Sequence, residues 1–126
     1  MDQLVQAALD IRANSYSPYS HFAVSAALET ESGKIFTGVN VENASYGLSI
    51  CAERTALVKA VSEGHQKFKR LVVVTELDPP GSPCGMCRQM LNEFNPTLEL
   101  WLVNPQGKIE KTSLDILLPR AFRLER

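Results

Sequence analysis

Three cysteines and one glutamate carry the chemistry that is most legible in this chain. Cys84 and Cys87 form a Cys-x-x-Cys pair preceded by Pro83, and Cys51 lies well upstream, two residues before Glu53. The thiolate is the metal-binding form of cysteine. It is favoured at helix N-termini, where unpaired backbone N–H groups and the macrodipole supply positive potential. The spacing of the pair lets both sulfurs face one ion, and Cys51 can add a third ligand. Structural zinc sites usually close with four protein ligands, whereas catalytic ones keep a position for water or substrate. A three-sulfur set therefore points to catalysis, with Glu53 near enough to shuttle protons without binding the ion. Three thiolates on a divalent ion leave net negative charge, which weakens the metal as a Lewis acid. Arg54 and two helix N-termini are the groups available to withdraw that charge.

The elements that must hold these residues follow from patterning. Leu4, Val5, Ala8, Leu9 and Ile11 recur at helical spacing after Asp2, which predicts a helix over 2–14. A polar, aromatic loop over 15–21 follows. Extended segments over 22–30 and 34–41, joined around Gly33, predict a β-hairpin. Residues 50–64 carry Ala52, Ala56, Leu57, Ala60 and Val61 on one helical face and end at Gly64, suited to the C′ position. Leu71 to Val74 reads as a strand covered on both faces. After the break at Pro79–Pro83, a helix over 84–94 is expected, with Ser82 as N-cap and Pro83 near its first turn. Strands over 98–103 and 108–112 and a short helix over 113–118 complete the order α-β-β-α-β-α-β-β-α. That order favours an α/β fold, a mixed sheet with helices on both faces, because strand-helix-strand connections run parallel and right-handed.

Composition narrows the function classes. The 126 residues and 13.9 kDa suit one compact domain spanning 1–126, and 44% hydrophobic with 21% charged residues is ordinary for a globular chain. A net charge of −1 offers no sequence-wide positive field for a phosphate backbone, so polynucleotide binding is disfavoured. No apolar run approaches the roughly 20 residues that span a bilayer, and the N-terminus lacks the basic and apolar regions of a secretory signal. A cytoplasmic location is expected. Three cysteines are too few, and odd in number, for a disulfide scaffold.

Cys51-Ala52-Glu53 followed by Pro83-Cys84-Gly85-Met86-Cys87 matches the zinc-deaminase pattern in its three-cysteine form. With Ser17-Pro18-Tyr19-Ser20-His21-Phe22, Asn40-Val41-Glu42-Asn43-Ala44, Arg54-Thr55-Ala56, Arg88-Gln89 and Leu117-Leu118-Pro119, the chain resembles the small, homotetrameric cytidine deaminases over nearly its whole length. Ser25 departs from the glycine common there, and the end after Phe122 is the basic Arg123-Leu124-Glu125-Arg126.

The resemblance implies a three-layer α-β-α fold on a mixed five-stranded sheet and one zinc ion per subunit on Cys51, Cys84 and Cys87. It implies hydrolytic deamination of cytidine and deoxycytidine, in which activated water attacks C4 of the pyrimidine and Glu53 moves the protons. It further implies that Phe22 packs on the base, that the Ala52 backbone contacts it, and that Asn40 and Glu42, alternating along a strand end, hold the ribose 3′-hydroxyl. A carboxylate there repels phosphate, which favours a nucleoside over a nucleotide. Phe122 resembles the aromatic that reaches a neighbouring subunit's site, Tyr46 a residue closing the same pocket, and Arg54 tunes the sulfur charge. Two alternatives stand beside this reading: a deaminase of a cytosine-nucleoside antibiotic, and a non-catalytic zinc-stabilised domain. The second needs a fourth ligand, and the only two histidines, His21 and His65, read as surface residues.

Overall fold

A single strand shows how one sheet serves two cores. In β3 (Phe68–Val74), Leu71 and Val73 pack into one apolar cluster and Val72 and Val74 into another, none more than 1% exposed. Side chains of a strand alternate between faces, so a run of β-branched residues demands cover on both. The structure, a computed structural model, describes residues 2–124. Around β3 it sets β1 (Ser25–Thr30), β2 (Ile35–Val39), β4 (Glu99–Val103) and β5 (Ile109–Ser113) in the order β2-β1-β3-β4-β5. The β3/β4 pair is parallel and the other pairings are antiparallel, which makes the sheet mixed, as expected.

One face is covered by α1 (Gln3–Ile11), whose Leu4, Val5 and Ala8 meet Ala27, Val72, Val74 and Val103. Its predicted continuation to residue 14 is a tighter 3-10 turn over Arg12–Asn14. Asp2 caps the helix, its Oδ1 accepting the N–H of Leu4 at 2.8 Å and of Val5 at 3.2 Å. Asp2 Oδ2 pairs with Arg70 at 2.9 Å, and the Trp101 ring takes two cations, the Arg70 guanidinium at 4.4 Å and the Lys111 ammonium at 4.2 Å from its centroid. Ser25, where glycine was noted as common, is buried and donates to Ala8 O at 2.6 Å, tying α1 to β1.

The other face carries α2 (Ala52–Ser62), α3 (Gly85–Asn92) and the single-turn α4 (Leu114–Leu117). Ala52, Ala56, Leu57 and Ala60 seat α2 on the sheet. Its approach to β2 is so close that a Cβ on Gly38 would lie 2.5 Å from Ala52 O and 2.6 Å from Ala56 N. Gly64 occupies C′ with φ +93°, as anticipated, and the N–H of Gly64 and of His65 return to Val61 O and Ala60 O. His65 packs against Phe36 with ring centroids 5.3 Å apart and planes tilted by 53°, whereas His21 is exposed.

Two expectations need correction here. Ser82 does not cap α3: Cys84 is the N-cap, and Arg88 draws Ser82 Oγ and Pro83 O to its guanidinium at 2.9 and 2.8 Å, holding them outside the helix. The hairpin strands are also shorter than their extended sequence suggested. β1 begins at Ser25 rather than Phe22, and β2 ends at Val39. Among the described residues no helix is long and apolar enough to cross a membrane.

Candidate metal centre and active site

Both cysteine segments end at helix starts, and neither start carries a side-chain cap. Cys51 and Cys84 are the N-cap residues of α2 and α3, in extended backbone conformations, with no capping hydrogen bond from the side chain. The N–H groups of the first turns, and the positive ends of two helices, are thus left to the sulfurs. Cys87, in the first turn of α3, is fully buried. Cys51 Sγ lies 3.7 Å from Cys84 Sγ, and Cys84 Sγ lies 3.3 Å from Cys87 Sγ. All three sulfurs fall within 4.8 Å of one another.

Sulfurs bound tetrahedrally at about 2.3 Å stand about 3.8 Å apart, so the triad needs only small adjustments to hold zinc. Among the described residues no other His, Cys, Asp or Glu joins this group, and the fourth protein ligand that a closed structural site requires is missing. Hydrogen bonding from the Cys87 thiol, joined by Cys84 and Arg54 and opposed by burial, lowers the Cys51 thiol to about 5. The same contact raises Cys87, and burial adds to it. Zinc takes cysteine as thiolate, the form toward which Cys51 is shifted.

Glu53 sits in the first turn of α2, 4% exposed. Burial raises its carboxyl to about 7, with the charge of Cys51 adding to the rise against hydrogen bonding from its own N–H and from Cys87. A carboxyl poised there can both take and return a proton near neutral pH. Arg54 Nη2 donates to Ser49 O at 3.0 Å, its Nε is buried without a hydrogen-bond partner, and its charge lies beside Cys51. Its guanidinium is thus anchored on a backbone carbonyl rather than on a sulfur, and it acts on Cys51 through its charge.

In front of these groups opens a cavity of about 300 Å³, lined by Phe22, Asn40, Glu42, Cys51, Ala52, Glu53 and Cys84. All seven were expected on sequence grounds at the metal, the proton shuttle or the substrate, and Cys87, the third sulfur, is buried and does not line the cavity. Asn40 and Glu42 reach the cavity by a different route from the one expected. They lie beyond the end of β2, held on one side because Val41 between them bridges to Tyr16 and to Ile50. Glu42 accepts hydrogen bonds from Ser20 Oγ and from the N–H of Ser20 and Tyr19, which hold its carboxyl below the ordinary value.

Tyr46 and Phe122 are not among the cavity's lining residues. Tyr46 is 80% exposed on a 3-10 turn (Tyr46–Leu48), and Phe122 is 69% exposed, its backbone pinned by Gln89. The sequence reading missed Thr75, Leu77 and Gly81, which also line the cavity, where the Gly81 N–H donates to Thr75 Oγ1 at 2.9 Å. No residue-type signal marks them, because the path of the chain after β3 places them. Met1, Glu125 and Arg126 lie outside the described residues.

Residues 1–100 match the family model described as the cytidine and deoxycytidylate deaminase zinc-binding region. The chain belongs to this family. It is 46% identical to the cytidine deaminase of Sporosarcina psychrophila over 99% of its length and 93% of that protein's. It is 50% identical to a probable cytidine deaminase of Dictyostelium discoideum, covering 99% of this chain and 85% of the relative. The crystal structure of cytidine deaminase from Burkholderia pseudomallei superimposes with a TM-score of 0.92 at 50% identity, covering 97% of this chain and all of that one. In this family member, Cys51, Cys84 and Cys87 form the zinc triad.

Proposed function

We propose that this protein converts cytidine and deoxycytidine, with water, to uridine and deoxyuridine and ammonia. The observation that carries the proposal is the nine-tenths-buried Glu53 beside a three-sulfur centre that lacks a fourth protein ligand, at the edge of a nucleoside-sized cavity. Cys51, Cys84 and Cys87 hold the zinc, which when bound supplies Lewis acidity and makes hydroxide accessible near neutral pH. Glu53 takes the proton that water gives up as its oxygen bonds to C4, and delivers it to ring N3. The hydroxyl now on C4 gives up its own proton through the same carboxylate to the amino nitrogen; the C4–N bond breaks, ammonia leaves and the C4 carbonyl forms. Phe22 packs on the base and the Ala52 backbone orients it. Asn40 and Glu42 hold the ribose 3′-hydroxyl.

The negative charge of Glu42 and the absence of any Lys or Arg among the cavity-lining residues favour a nucleoside over a nucleotide. The exposure of Tyr46 and Phe122 supports a site completed by a neighbouring copy, in a homotetramer of one-domain subunits. A cytoplasmic location suits three unpaired cysteines that must stay reduced. Incubation of the zinc-loaded protein with cytidine, deoxycytidine, cytidine monophosphate and adenosine tests the reading. Loss of cytidine and deoxycytidine absorbance with ammonia release is expected. Preferential conversion of the monophosphate would overturn the role given to Glu42, and inertness toward all four would overturn the enzyme reading.

A further inference from the structure

The sugar side of the cavity has nearly all its hydrogen-bonding capacity committed within the protein. Backbone groups dictate the orientation of the Asn40 amide. The Val24 N–H, a donor, meets Oδ1 at 3.0 Å, and the Phe22 carbonyl, an acceptor, takes an Nδ2 hydrogen at 2.8 Å. The Ser15 hydroxyl occupies the second lone pair of Oδ1, since an amide oxygen can only accept. One Nδ2–H remains. Glu42 mirrors this arrangement with opposite polarity. Its Oε1 accepts the N–H of Tyr19 at 3.0 Å and of Ser20 at 3.1 Å, and its Oε2 accepts the Ser20 hydroxyl. One lone pair on Oε2 remains.

The cavity wall therefore offers a ligand one donor and one acceptor from these two side chains. Ser20 has a double attachment: its oxygen donates to Glu42 and accepts the Phe22 N–H at 3.0 Å, linking the carboxylate to the backbone of the aromatic that faces the base.

We propose that Ser20 is a positioning residue that fixes the hydrogen-bond polarity of this subsite, so that it selects a sugar hydroxyl able to accept from Asn40 and donate to Glu42 at once. The inference rests on the assignment of Asn40 and Glu42 to the 3′-hydroxyl made above. A 3′-fluoro substituent can meet Asn40 but leaves the Glu42 lone pair facing a second acceptor, and a 3′-deoxy sugar meets neither group. Removal of the Ser20 hydroxyl frees Oε2 to turn away from the sugar and unties it from Phe22.

The test measures kcat and KM separately for cytidine, 3′-deoxycytidine and 3′-fluoro-3′-deoxycytidine, with zinc content determined for each protein. Wild type should prefer cytidine to both analogues by about tenfold or more in kcat/KM, the scale of one lost hydrogen bond. Ser20→Ala should reduce that preference about tenfold through KM, with zinc retained, and Ser20→Thr should restore it. A Ser20→Ala protein that keeps the wild-type preference while Glu42→Gln loses it would overturn the role of Ser20 alone. A Glu42→Gln protein that keeps the preference would overturn the sugar assignment, and the inference with it. Should Ser20→Ala fail to fold, wild type decides: use of the 3′-fluoro analogue as readily as cytidine contradicts the proposed polarity.

Discussion

The three longer helices of the described residues, α1, α2 and α3, start in two different ways. At α1, the Asp2 carboxylate accepts the N–H groups of Leu4 and Val5 and pairs with Arg70, so the positive end of the helix is neutralised by the chain itself. At α2 and α3 the corresponding positions are Cys51 and Cys84, and neither side chain caps its helix. The first arrangement stabilises a helix on one face of the sheet. The second gives up that stabilisation and leaves two positive helix ends to a set of thiolates and the metal they hold. One sheet thus separates a face built for cohesion from a face built for chemistry, and the boundary is drawn by which residue occupies the N-cap.

The largest effect that sharpens this contrast is expected at the metal. Cys51→Ala should drop cytidine turnover to background and bring bound zinc below one ion per chain, read by metal analysis of the purified variant. A variant that keeps stoichiometric zinc would show that the triad is not the ligand set.

Gly38→Ala comes next, because a Cβ there collides with Ala52 O and Ala56 N of the helix that carries Glu53. Denaturant unfolding should show a loss of about 3 kcal/mol, at the upper end for overpacking against backbone. Arg54→Ala should lower kcat about tenfold with zinc retained, since it removes positive charge beside Cys51 without removing a ligand. Unchanged kcat would take that role away from Arg54.

The smallest effect lies on the cohesive face. Asp2→Ala should cost about 1 kcal/mol at pH 7, the usual worth of an N-cap. Partial burial opposes the charge on Asp2, but hydrogen bonds from Arg70, Val5 and Leu4 outweigh it and hold the carboxyl below its ordinary value. A depressed folded pKa means stabilisation that is present above the unfolded value and lost as pH falls through the folded one. The gap between wild type and variant should accordingly close as thermal unfolding is repeated at pH values descending from 4. A gap that persists at low pH would show that packing, rather than the charged cap, stabilises the start of α1.

Much of this arrangement is legible in the amino-acid sequence. The doubly covered β3, the glycine ending α2, the mixed sheet with helices on both sides and the three sulfurs at helix starts follow from periodicity, turn chemistry and spacing. What was misread depended on contacts between segments distant in sequence. Ser82 has the right chemistry for a cap, but Arg88 draws it and the Pro83 carbonyl away, and the start of α3 moves to Cys84. Asn40 and Glu42 look like strand residues. The strand ends earlier, and the bridges from Val41 to Tyr16 and Ile50 keep the two side chains together. The cavity lining at Thr75 and Gly81 and the roles of Ser15 and Ser20 rest on hydrogen bonds between loops, which no local pattern announces.

The central claim is that a buried carboxyl, and not the metal centre alone, moves the protons of the reaction. Zinc content and cytidine turnover measured on the same sample of Glu53→Gln test it most directly. The account predicts one zinc ion per chain, as in wild type, with kcat reduced by roughly 10² to 10⁴, the usual range for loss of a general acid–base. Turnover near the wild-type rate with zinc in place would contradict it.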